Sequence, residues 1–298
     1  MTDIRTSPAS RRQLLTMAAV GGAGLFAAPG AAAATDSPGN GGDPFRITVL
    51  GTTDLHGNVL NWDYFKNTEY TDSKANDIGV AKASTIIKTV KAEVGAERTI
   101  TIDAGDTIQG TPLATYFAKQ EPITSVPHIH PMATAMNLIG YDAVTMGNHE
   151  FNYGIPFLDT WAKQLHFPAL AANAVDVHTG KPYFQPYVIK TMQTKRDGYP
   201  LRVGILGLTN PGVAIWDRDN VAGKLRFDDM VATAARWVPV MRANGADVVI
   251  VSAHGGDSGT SSYGPELPVE NAAALIAQKV PGVDAILFGH AHNDVPQR

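Results

Sequence analysis

Residues 46–58 have the sequence RITVLGTTDLHGN, in which a short apolar run ends directly in a cluster of polar side chains. An apolar run of this length, rich in β-branched residues, predicts a buried strand over residues 46–50. Asp54, His56 and Asn58 follow within a few residues of its end. Potential ligands therefore come immediately after a strand, and this arrangement recurs four more times along the chain.

The four later clusters also follow predicted strands. They are Asp103-Ala104-Gly105-Asp106 after 99–102, Gly147-Asn148-His149-Glu150 after 142–146, Ala253-His254-Gly255-Gly256-Asp257 after 248–252, and Gly289-His290-Ala291-His292 after 285–288. In an α/β sheet of mainly parallel strands, the carboxyl ends meet at one edge, where ligands bind. Five clusters that are far apart in sequence are therefore expected to meet in space.

The side chains of these clusters suit a transition metal. Aspartate and asparagine offer hard oxygen donors and neutral histidine offers borderline nitrogen donors, a mixture that suits Zn²⁺, Mn²⁺, Co²⁺ or Fe²⁺ rather than Ca²⁺. The chain has no cysteine, so any metal must be held by His, Asp, Glu or Asn. In Asp54-x-His56 and His290-x-His292, the residues two apart point the same way if the backbone stays extended.

Each cluster also has a purely structural interpretation when it is taken alone. Asp54 could be a turn residue, Asn148 could form an Asx-turn, and His254 could be a hydrogen-bonded core histidine. The pair His128-Ile129-His130 has the same spacing as the later pair, but it lies between prolines and follows no apolar strand. We therefore interpret that pair as a loop feature, whereas five clusters in order favour a metal site.

Short apolar runs alternate with helical patterns from Phe45 onward, which favours an α/β fold with largely parallel strands buried on both faces. Strands are predicted over 46–50, 99–102, 142–146, 169–172, 201–208, 248–252 and 285–288, and helices over 78–94, 132–139, 155–165, 228–243 and 269–280. No internal repeat interrupts this alternation.

Composition narrows the class of ligand. The chain has 298 residues, 44% hydrophobic and 17% charged, which is ample for a large buried core. Its net charge of −4 shows no basic excess, so a small phosphorylated substrate is favoured over a nucleic acid duplex. After residue 45 there is no run of the ~18 apolar residues that a membrane span requires. No membrane span is predicted, and the sequence leaves the oligomeric state open.

Residues 1–44 are predicted to be an export signal and a linker. Arg11 and Arg12 precede a weakly apolar stretch over 14–28, and the alanines at 31–34 offer small-residue cleavage sites. The twin arginine suggests the route that carries already folded proteins. The mature protein is then expected outside the cell, in a periplasm or at a cell wall. The alternative is a disordered tail with a chance arginine pair.

From Asp54 to His292 the chain resembles the calcineurin-like metallophosphoesterases, whose pattern of Asp-x-His, Gly-Asp, Gly-Asn-His-Glu, a later His and Gly-His-x-His is matched in order. It resembles in particular the 5′-nucleotidase family and its 2′,3′-cyclic-nucleotide 2′-phosphodiesterase/3′-nucleotidase branch, through residues 52–56, 147–154 and 288–292. The resemblance covers residues 45–298. It implies an α/β catalytic domain in which a sandwich of two mixed sheets is flanked by helices, in four layers αββα.

The resemblance also implies two divalent cations and a set of ligands. One cation would be held by Asp54, His56, Asp106 and His292, and the other by Asp106, Asn148, His254 and His290. His149 would be the catalytic histidine beside the phosphate. Asp103 and Glu150 are expected to orient ligands or backbone rather than to bind metal.

Asn152 departs from the usual 5′-nucleotidase pattern and favours one branch of the family over the other. Most 5′-nucleotidases carry an aspartate three residues after this histidine, where it would stabilise the imidazolium, whereas a neutral amide can only orient the ring. The asparagine matches the cyclic phosphodiesterase branch, so His149 and Asn152 are the expected catalytic pair. The implied reactions convert 2′,3′-cyclic nucleotides to 3′-nucleotides, and 3′-nucleotides to nucleoside and phosphate.

Three alternatives stay open at this point. The first is a 5′-nucleotidase or UDP-sugar hydrolase with the same metals, and the second is a secreted binding module without catalysis. Family members also carry a C-terminal nucleotide-binding domain with two aromatic rings that grip the base, and nothing follows Arg298 here. The third is therefore a fragment of a longer enzyme in which base recognition is missing or supplied elsewhere.

Overall fold

The computed structural model describes residues 16–19, 45–193 and 200–293. Its strands are β1 Thr16–Ala19, β2 Thr48–Thr52, β3 Trp62–Asp63, β4 Thr68–Glu69, β5 Thr99–Asp103, β6 Ala143–Thr145, β7 Ala169–Leu170, β8 Ala174–Asp176, β9 Tyr187–Met192, β10 Leu201–Leu208, β11 Leu225–Phe227, β12 Val248–Ala253 and β13 Ala285–Phe288. Its α-helices are α1 Val80–Val94, α2 Pro112–Thr115, α3 Pro131–Ile139, α4 Ile155–Lys163, α5 Val213–Trp216, α6 Arg218–Val221, α7 Met230–Ala243 and α8 Ala273–Lys279. Short 3₁₀ turns span Ala96–Arg98 and His149–Phe151, and a π-turn spans Tyr116–Gln120.

Two sheets form the centre of the molecule. The first has the order β1-β2-β5-β6-β7 and is parallel throughout, and the second has the order β13-β12-β10-β9. In the second sheet only β9 runs antiparallel, against β10. The predicted pair of mixed sheets is therefore corrected in one respect, because only the second sheet is mixed. Parallel strands are joined by crossovers, which bring their carboxyl ends to the same edge.

The two sheets pack face to face through an apolar layer. Ile100 and Ile102 of β5 meet Ile205 of β10 and Ile250 of β12, and all four are fully buried. Burying a side chain of this size contributes about 1.5–3 kcal/mol relative to leaving it exposed. The Thr145 hydroxyl donates to Ser252 Oγ at 2.7 Å within the same layer, so the two sheets are also joined by a buried hydrogen bond.

Helices cover the outer face of each sheet. Helices α1, α3 and α4 contribute to an apolar cluster with the first sheet, in which Trp161 of α4 is fully buried. Helices α7 and α8 cover the second sheet in the same way. The predicted four-layer αββα architecture is confirmed. In the part of the chain that the structure describes, no helix combines the length and apolar character needed to cross a bilayer.

Besides short elements that were not predicted, such as β8, β11, α2, α5 and α6, three differences between the predicted and the observed elements concern the sheets and the site. The helix predicted over 269–280 is shorter, as α8 begins at Ala273 after a loop tied by Glu270. Tyr187–Met192 was not predicted because it is a half-buried edge strand with a lysine at its centre. Thr16–Ala19 lies inside the predicted export signal, yet it pairs with the otherwise open edge of β2. The role of residues 1–44 as an export signal and linker stays a prediction.

Candidate metal centre

The carboxyl ends of both sheets bring the predicted ligands together. Asp54 and His56 follow β2, Asp106 follows β5 and Asn148 follows β6, all in the first sheet, while His254 follows β12 and His290 and His292 follow β13 in the second sheet. All of them except Asn148 form two groups in which the potential ligand atoms lie within 4.8 Å of one another. Each group therefore draws side chains from both sheets.

The first group consists of Asp54, His56 and His292. The His292 Nε2 lies 3.2 Å from Asp54 Oδ1 and 3.2 Å from His56 Nε2. His56 Nδ1 lies 3.0 Å from the carbonyl oxygen of Gln109, which can only accept, so Nδ1 carries the proton and Nε2 is the acceptor of the ring. Burial, only partly offset by Asp106, lowers the pKa of His56 and favours this neutral form.

The second group consists of Asp106, His254 and His290, and its members are more deeply buried. His254 Nε2 lies 3.0 Å from Asp106 Oδ2, while its Nδ1 donates to the carbonyl oxygen of Ala104 at 2.7 Å. Burial alone would disfavour a charged His254, but the adjacent Asp106 carboxylate outweighs it and raises the pKa of His254 to about 10. His254 in turn holds the pKa of Asp106 far below its usual range despite burial.

Buried acceptor atoms without partners test whether a cation fits. Among the described residues, Asp54 Oδ1, Asn148 Oδ1 and His254 Nε2 are buried and have no hydrogen-bond partner. Such atoms are rare in folded proteins because their desolvation is uncompensated. His254 Nε2 and Asp106 Oδ2 lie 3.0 Å apart and are held together by the His254 proton, and a divalent cation would take the place of that proton. The donor set therefore fits divalent cations.

Asn148 lies in the turn that adjoins Asp106 of the second group. It directly precedes His149, whose backbone N–H donates to Asp106 Oδ1 at 2.7 Å. The close approach depends on Gly147, because a Cβ there would lie 2.3 Å from Asp106 Oδ1 and 2.4 Å from its backbone nitrogen. A glycine between β6 and Asn148 is thus a steric requirement of the site.

The backbone at the ligands is unusual. Seven non-glycine residues of the described chain have positive φ, and five of them are Asp54, His56, Asp106, His290 and His292. This region is uncommon for residues with a Cβ and persists where the surroundings enforce it. An extended backbone, the condition under which residues two apart in Asp54-x-His56 and His290-x-His292 would point the same way, is therefore not met. His290 and His292 instead belong to different groups.

Carboxylates below the ligands hold the turns in place. Glu150 is fully buried and accepts from the backbone N–H groups of Asp106, Thr107, Ile108 and Gly147, which joins two ligand turns. Burial raises the pKa of Glu150. Asp103 accepts from the Thr52 and Thr107 hydroxyls, and burial raises its pKa to about 7. Both residues contact backbone and hydroxyl groups, in the orienting positions that were expected of them.

Glu270 belongs to the site but was not predicted. Its Oε1 lies 2.7 Å from His290 Nε2, so that nitrogen donates to the carboxylate and Nδ1 is left as the acceptor of the ring. Burial opposes ionisation of Glu270, but the Ser262 N–H and His290 outweigh it and lower its pKa. Glu270 lies in a loop before α8 rather than at the end of a strand. A search for polar residues at strand ends therefore does not identify it. Trp216 also stacks on the His290 ring, at 5.7 Å between centroids.

His149 stands at the rim of the two groups. Its ring lies 5.3 Å from that of His56 and its Nε2 lies 4.0 Å from Asp106 Oδ2, while 36% of its side chain is exposed. Its Nδ1 contacts Asn152 Oδ1 at 2.6 Å, as the predicted pair requires. His149 lies outside both groups and is partly exposed, so a substrate can approach it from solvent.

His128 and His130 lie away from both groups. His128 is exposed beside Glu121, and His130 is buried at the start of α3, where its Nδ1 accepts from the Met132 N–H at 3.2 Å. Neither belongs to a group that could hold a metal in the described chain. His130 is nevertheless a helix cap rather than the plain loop residue that was expected.

Two face-to-face sheets with candidate metal ligands at their shared carboxyl edge are the arrangement expected of a metallophosphoesterase. The model of the calcineurin-like phosphoesterase family matches residues 47–294, and the chain belongs to that family. The resemblance stated from the sequence is thereby confirmed.

Relatives narrow the comparison. The chain is 41% identical over 255 residues to a 2′,3′-cyclic-nucleotide 2′-phosphodiesterase/3′-nucleotidase of Yersinia enterocolitica, covering 85% of this chain and 37% of that protein. It is 25% identical to a 5′-nucleotidase of Vibrio parahaemolyticus, covering 95% of this chain and 46% of that protein. The crystal structure of the calcineurin-like phosphoesterase YfkN of Bacillus subtilis superposes with a TM-score of 0.74 at 36% identity, over 84% of this chain and 73% of that one. The chain thus spans little more than a third of the Yersinia relative.

Proposed function

We propose that this chain hydrolyses phosphoesters of nucleotides with two divalent cations. The substrates are 2′,3′-cyclic nucleotides, opened to 3′-nucleotides, and 3′-nucleotides, cleaved to nucleoside and phosphate. The observation that carries the proposal is the pair of ligand groups with orphaned buried acceptors at one sheet edge. The name and identity of the Yersinia relative support the substrate class.

One cation would be held by Asp54, His56, Asp106 and His292, and the other by Asp106, Asn148, His254 and His290. When bound, such cations polarise phosphoryl oxygens and activate water for attack. Zn²⁺, Mn²⁺, Co²⁺ and Fe²⁺ all suit this mixture of nitrogen and oxygen donors. Glu150, Asp103 and Glu270 hold the ligand turns and rings in position, as residues behind metal ligands commonly do.

His149 would act on the substrate directly. Its partly exposed ring can reach a phosphoryl group or the leaving ribose oxygen above the ligand groups. It either stabilises negative charge on the phosphoryl oxygens or gives a proton to the leaving oxygen. The contact of its Nδ1 with Asn152 fixes the ring so that Nε2 is presented to the site.

Phosphate release from 2′,3′-cyclic AMP, 3′-AMP and 5′-AMP, with and without chelator, tests the proposal. We expect metal-dependent release from the first two substrates and little from 5′-AMP. Preference for 5′-AMP would favour the 5′-nucleotidase alternative, which the Vibrio relative represents. No release with any metal would favour a binding module.

Asp106→Asn tests the bridging position. Because Asp106 would serve both cations, the variant should lose both metals and the activity together. Asp257→Asn is the matched control, since Asp257 follows β12 but belongs to neither ligand group. Two equivalents of metal retained in Asp106→Asn would remove Asp106 from the bridge.

We also propose that the chain is exported through the twin-arginine route. Arg11-Arg12, the apolar stretch that follows and the alanines at 31–34 support this. A reporter that becomes active only after folded export, fused after residue 44, should appear outside the membrane. Replacing both arginines by lysine should retain it inside.

A further inference from the structure

A buried carboxylate stands behind the catalytic pair. Asn152 Nδ2 lies 3.0 Å from both carboxylate oxygens of Asp217, on the side opposite His149. His149, Asn152 and Asp217 therefore form a chain of side chains that leads from the rim of the ligand groups into the protein. Asp217 is 6% exposed and lies between α5 and α6, far from the clusters that the sequence pattern identified.

We propose that Asp217 is a positioning residue that sets the tautomer of His149 through Asn152. The expected effect of Asp217 on turnover rests on the proposed function, whereas its effect on the His149 tautomer does not. Because the Asp217 carboxylate, the Asn152 amide and the His149 imidazole lie in a row, the neutral Asn152 side chain can favour one tautomer of His149.

The first step concerns the amide. A carboxylate only accepts hydrogen bonds, so the Asn152 group that faces Asp217 must be the NH₂. The Asn152 Oδ1 then faces His149 Nδ1, at 2.6 Å. An isolated asparagine could present either end to the ring, whereas one beside a carboxylate has a single favourable orientation.

The second step concerns the ring. Because Asn152 Oδ1 only accepts, His149 Nδ1 must carry a proton. The neutral histidine therefore keeps its lone pair on Nε2, the nitrogen 4.0 Å from Asp106 Oδ2. That nitrogen can take up a proton, and the imidazolium so formed can stabilise phosphoryl charge or give the proton to the leaving oxygen. The Asp217 carboxylate meanwhile polarises the amide that holds the ring.

A third side chain holds this arrangement. Asn220 Nδ2 donates to the carbonyl oxygens of Phe151 and Asn152 at 3.0 and 3.2 Å, and it lies 3.3 Å from Asp217 Oδ1. Asn220 thus ties the turn that carries Asn152 to the turn that carries Asp217. The distance between the amide and the carboxylate is therefore fixed by the backbone rather than by chance contact of two flexible side chains.

The first experiment observes the tautomer itself. Nitrogen-15 NMR of the full chain, with and without added Zn²⁺, reports which ring nitrogen of His149 is protonated, and His149→Ala assigns the signal. We expect Nδ1–H in the parent chain and a mixture of tautomers in Asp217→Asn, whose amide no longer dictates the orientation of Asn152. The control Asp219→Asn alters an exposed aspartate two residues along and should leave the signal unchanged.

The second experiment exchanges the two groups. Asn152→Asp alone places two carboxylates about 3 Å apart, where they repel or share a proton. The double variant Asn152→Asp with Asp217→Asn restores one carboxylate and one amide in reversed order, and its new carboxylate still accepts from His149 Nδ1. Turnover of 3′-AMP should fall about 10–100-fold in each single variant, with KM little changed, and should largely recover in the double variant.

The outcomes are separable. An unchanged His149 tautomer in Asp217→Asn overturns the proposal, as does a double variant that is less active than either single one, since that is the result of a purely structural role. If the parent chain releases no phosphate, the proposed function fails while the tautomer measurement still decides the role of Asp217. Should Asp217→Asn not fold, Asp217→Glu, which keeps the carboxylate, and the double variant carry the test.

Discussion

Most of the candidate ligands of this site have a strained backbone conformation. A positive φ at Asp54, His56, Asp106, His290 and His292 disfavours the local backbone by the order of 1 kcal/mol each, and the rest of the fold must offset this cost. In exchange for this strain, the potential ligand atoms of these residues come together in two compact groups. Some of the buried ligand atoms have no hydrogen-bond partner. Removal of one such residue should therefore impair function more than stability.

His149→Ala is expected to lower turnover of 3′-AMP by roughly 10²–10⁴-fold, because it removes a positioned acid–base group. Metal content should be retained, since His149 lies outside both ligand groups. Steady-state kinetics and metal analysis of the variant check both points. His166→Ala, at an exposed histidine, is the control, and unchanged turnover in His149→Ala would exclude His149 from the reaction.

His130 should make stability sensitive to pH. Burial lowers the pKa of His130 to about 4 in the folded chain, from 6.5 as the ordinary value. Between these two pKa values the unfolded chain binds more protons, so its contribution to stability is lost as pH falls from about 6.5 towards 4. Between pH 7 and pH 5 this amounts to about 2 kcal/mol.

The variant His130→Asn isolates this contribution, because asparagine caps a helix but does not titrate in this range. Urea unfolding at pH 7 and pH 5 should show the parent chain losing about 2 kcal/mol more than the variant. The loss of stability in the parent chain is compared with that in His130→Asn because Asp103 also titrates between pH 5 and pH 7 in both proteins. An equal loss in both would show that His130 is not held neutral.

Turns between elements decide whether the ligands meet. β6 and β5 run side by side in register, so the turns after them come into backbone contact at Gly147 and Asp106. Glu150 then binds N–H groups from both turns, which fixes their separation. The geometry of the site thus depends on the turns that follow β5 and β6 more than on the helices that cover the sheet.

Gly147→Ala tests this dependence at the level of the turn. The added Cβ would lie 2.4 Å from the Asp106 backbone nitrogen, so the Asp106 turn must move. We expect metal affinity to fall by at least about tenfold, as for other changes behind metal ligands. Calorimetric metal titration measures this. Gly180→Ala is the control for strain away from the site, since its Cβ meets nothing within 4 Å but its positive φ of 68° still disfavours alanine. Equal affinities in the two variants would contradict the argument.

At the scale of the whole molecule, the ligand groups join the two sheets. Asp54 and His56 come from the first sheet and His292 from the second, and the other group is likewise divided. Bound cations would therefore add to the apolar layer and to the Thr145–Ser252 hydrogen bond as links between the sheets. Their contribution to stability follows from mass action.

Removal of metal should therefore lower the melting temperature. A cation at about 1,000 times its Kd stabilises the fold by about 4 kcal/mol, which corresponds to a shift of about 10 °C for a domain of this size. Thermal unfolding with and without chelator measures the shift. Asp106→Asn should respond little to chelator, and an equal shift in both proteins would mean that the stabilising metal binds elsewhere.

The sequence alone determined the plan of this protein. Apolar runs that end in Asp, Asn and His are visible because strand periodicity and donor chemistry are local properties, so the α/β class and all seven candidate ligands could be predicted. Edge elements such as Tyr187–Met192 could not, because half-buried strands lack a clear apolar run.

Only the tertiary structure decided how these parts are joined. The split of His290 and His292 between two groups, the support of His290 by Glu270 and the position of Asp217 behind Asn152 depend on contacts across 20 to more than 200 residues of sequence. No local pattern encodes such contacts, since they arise where loops from different crossovers meet. Packing of the two sheets fixes that meeting, and with it the geometry of the site.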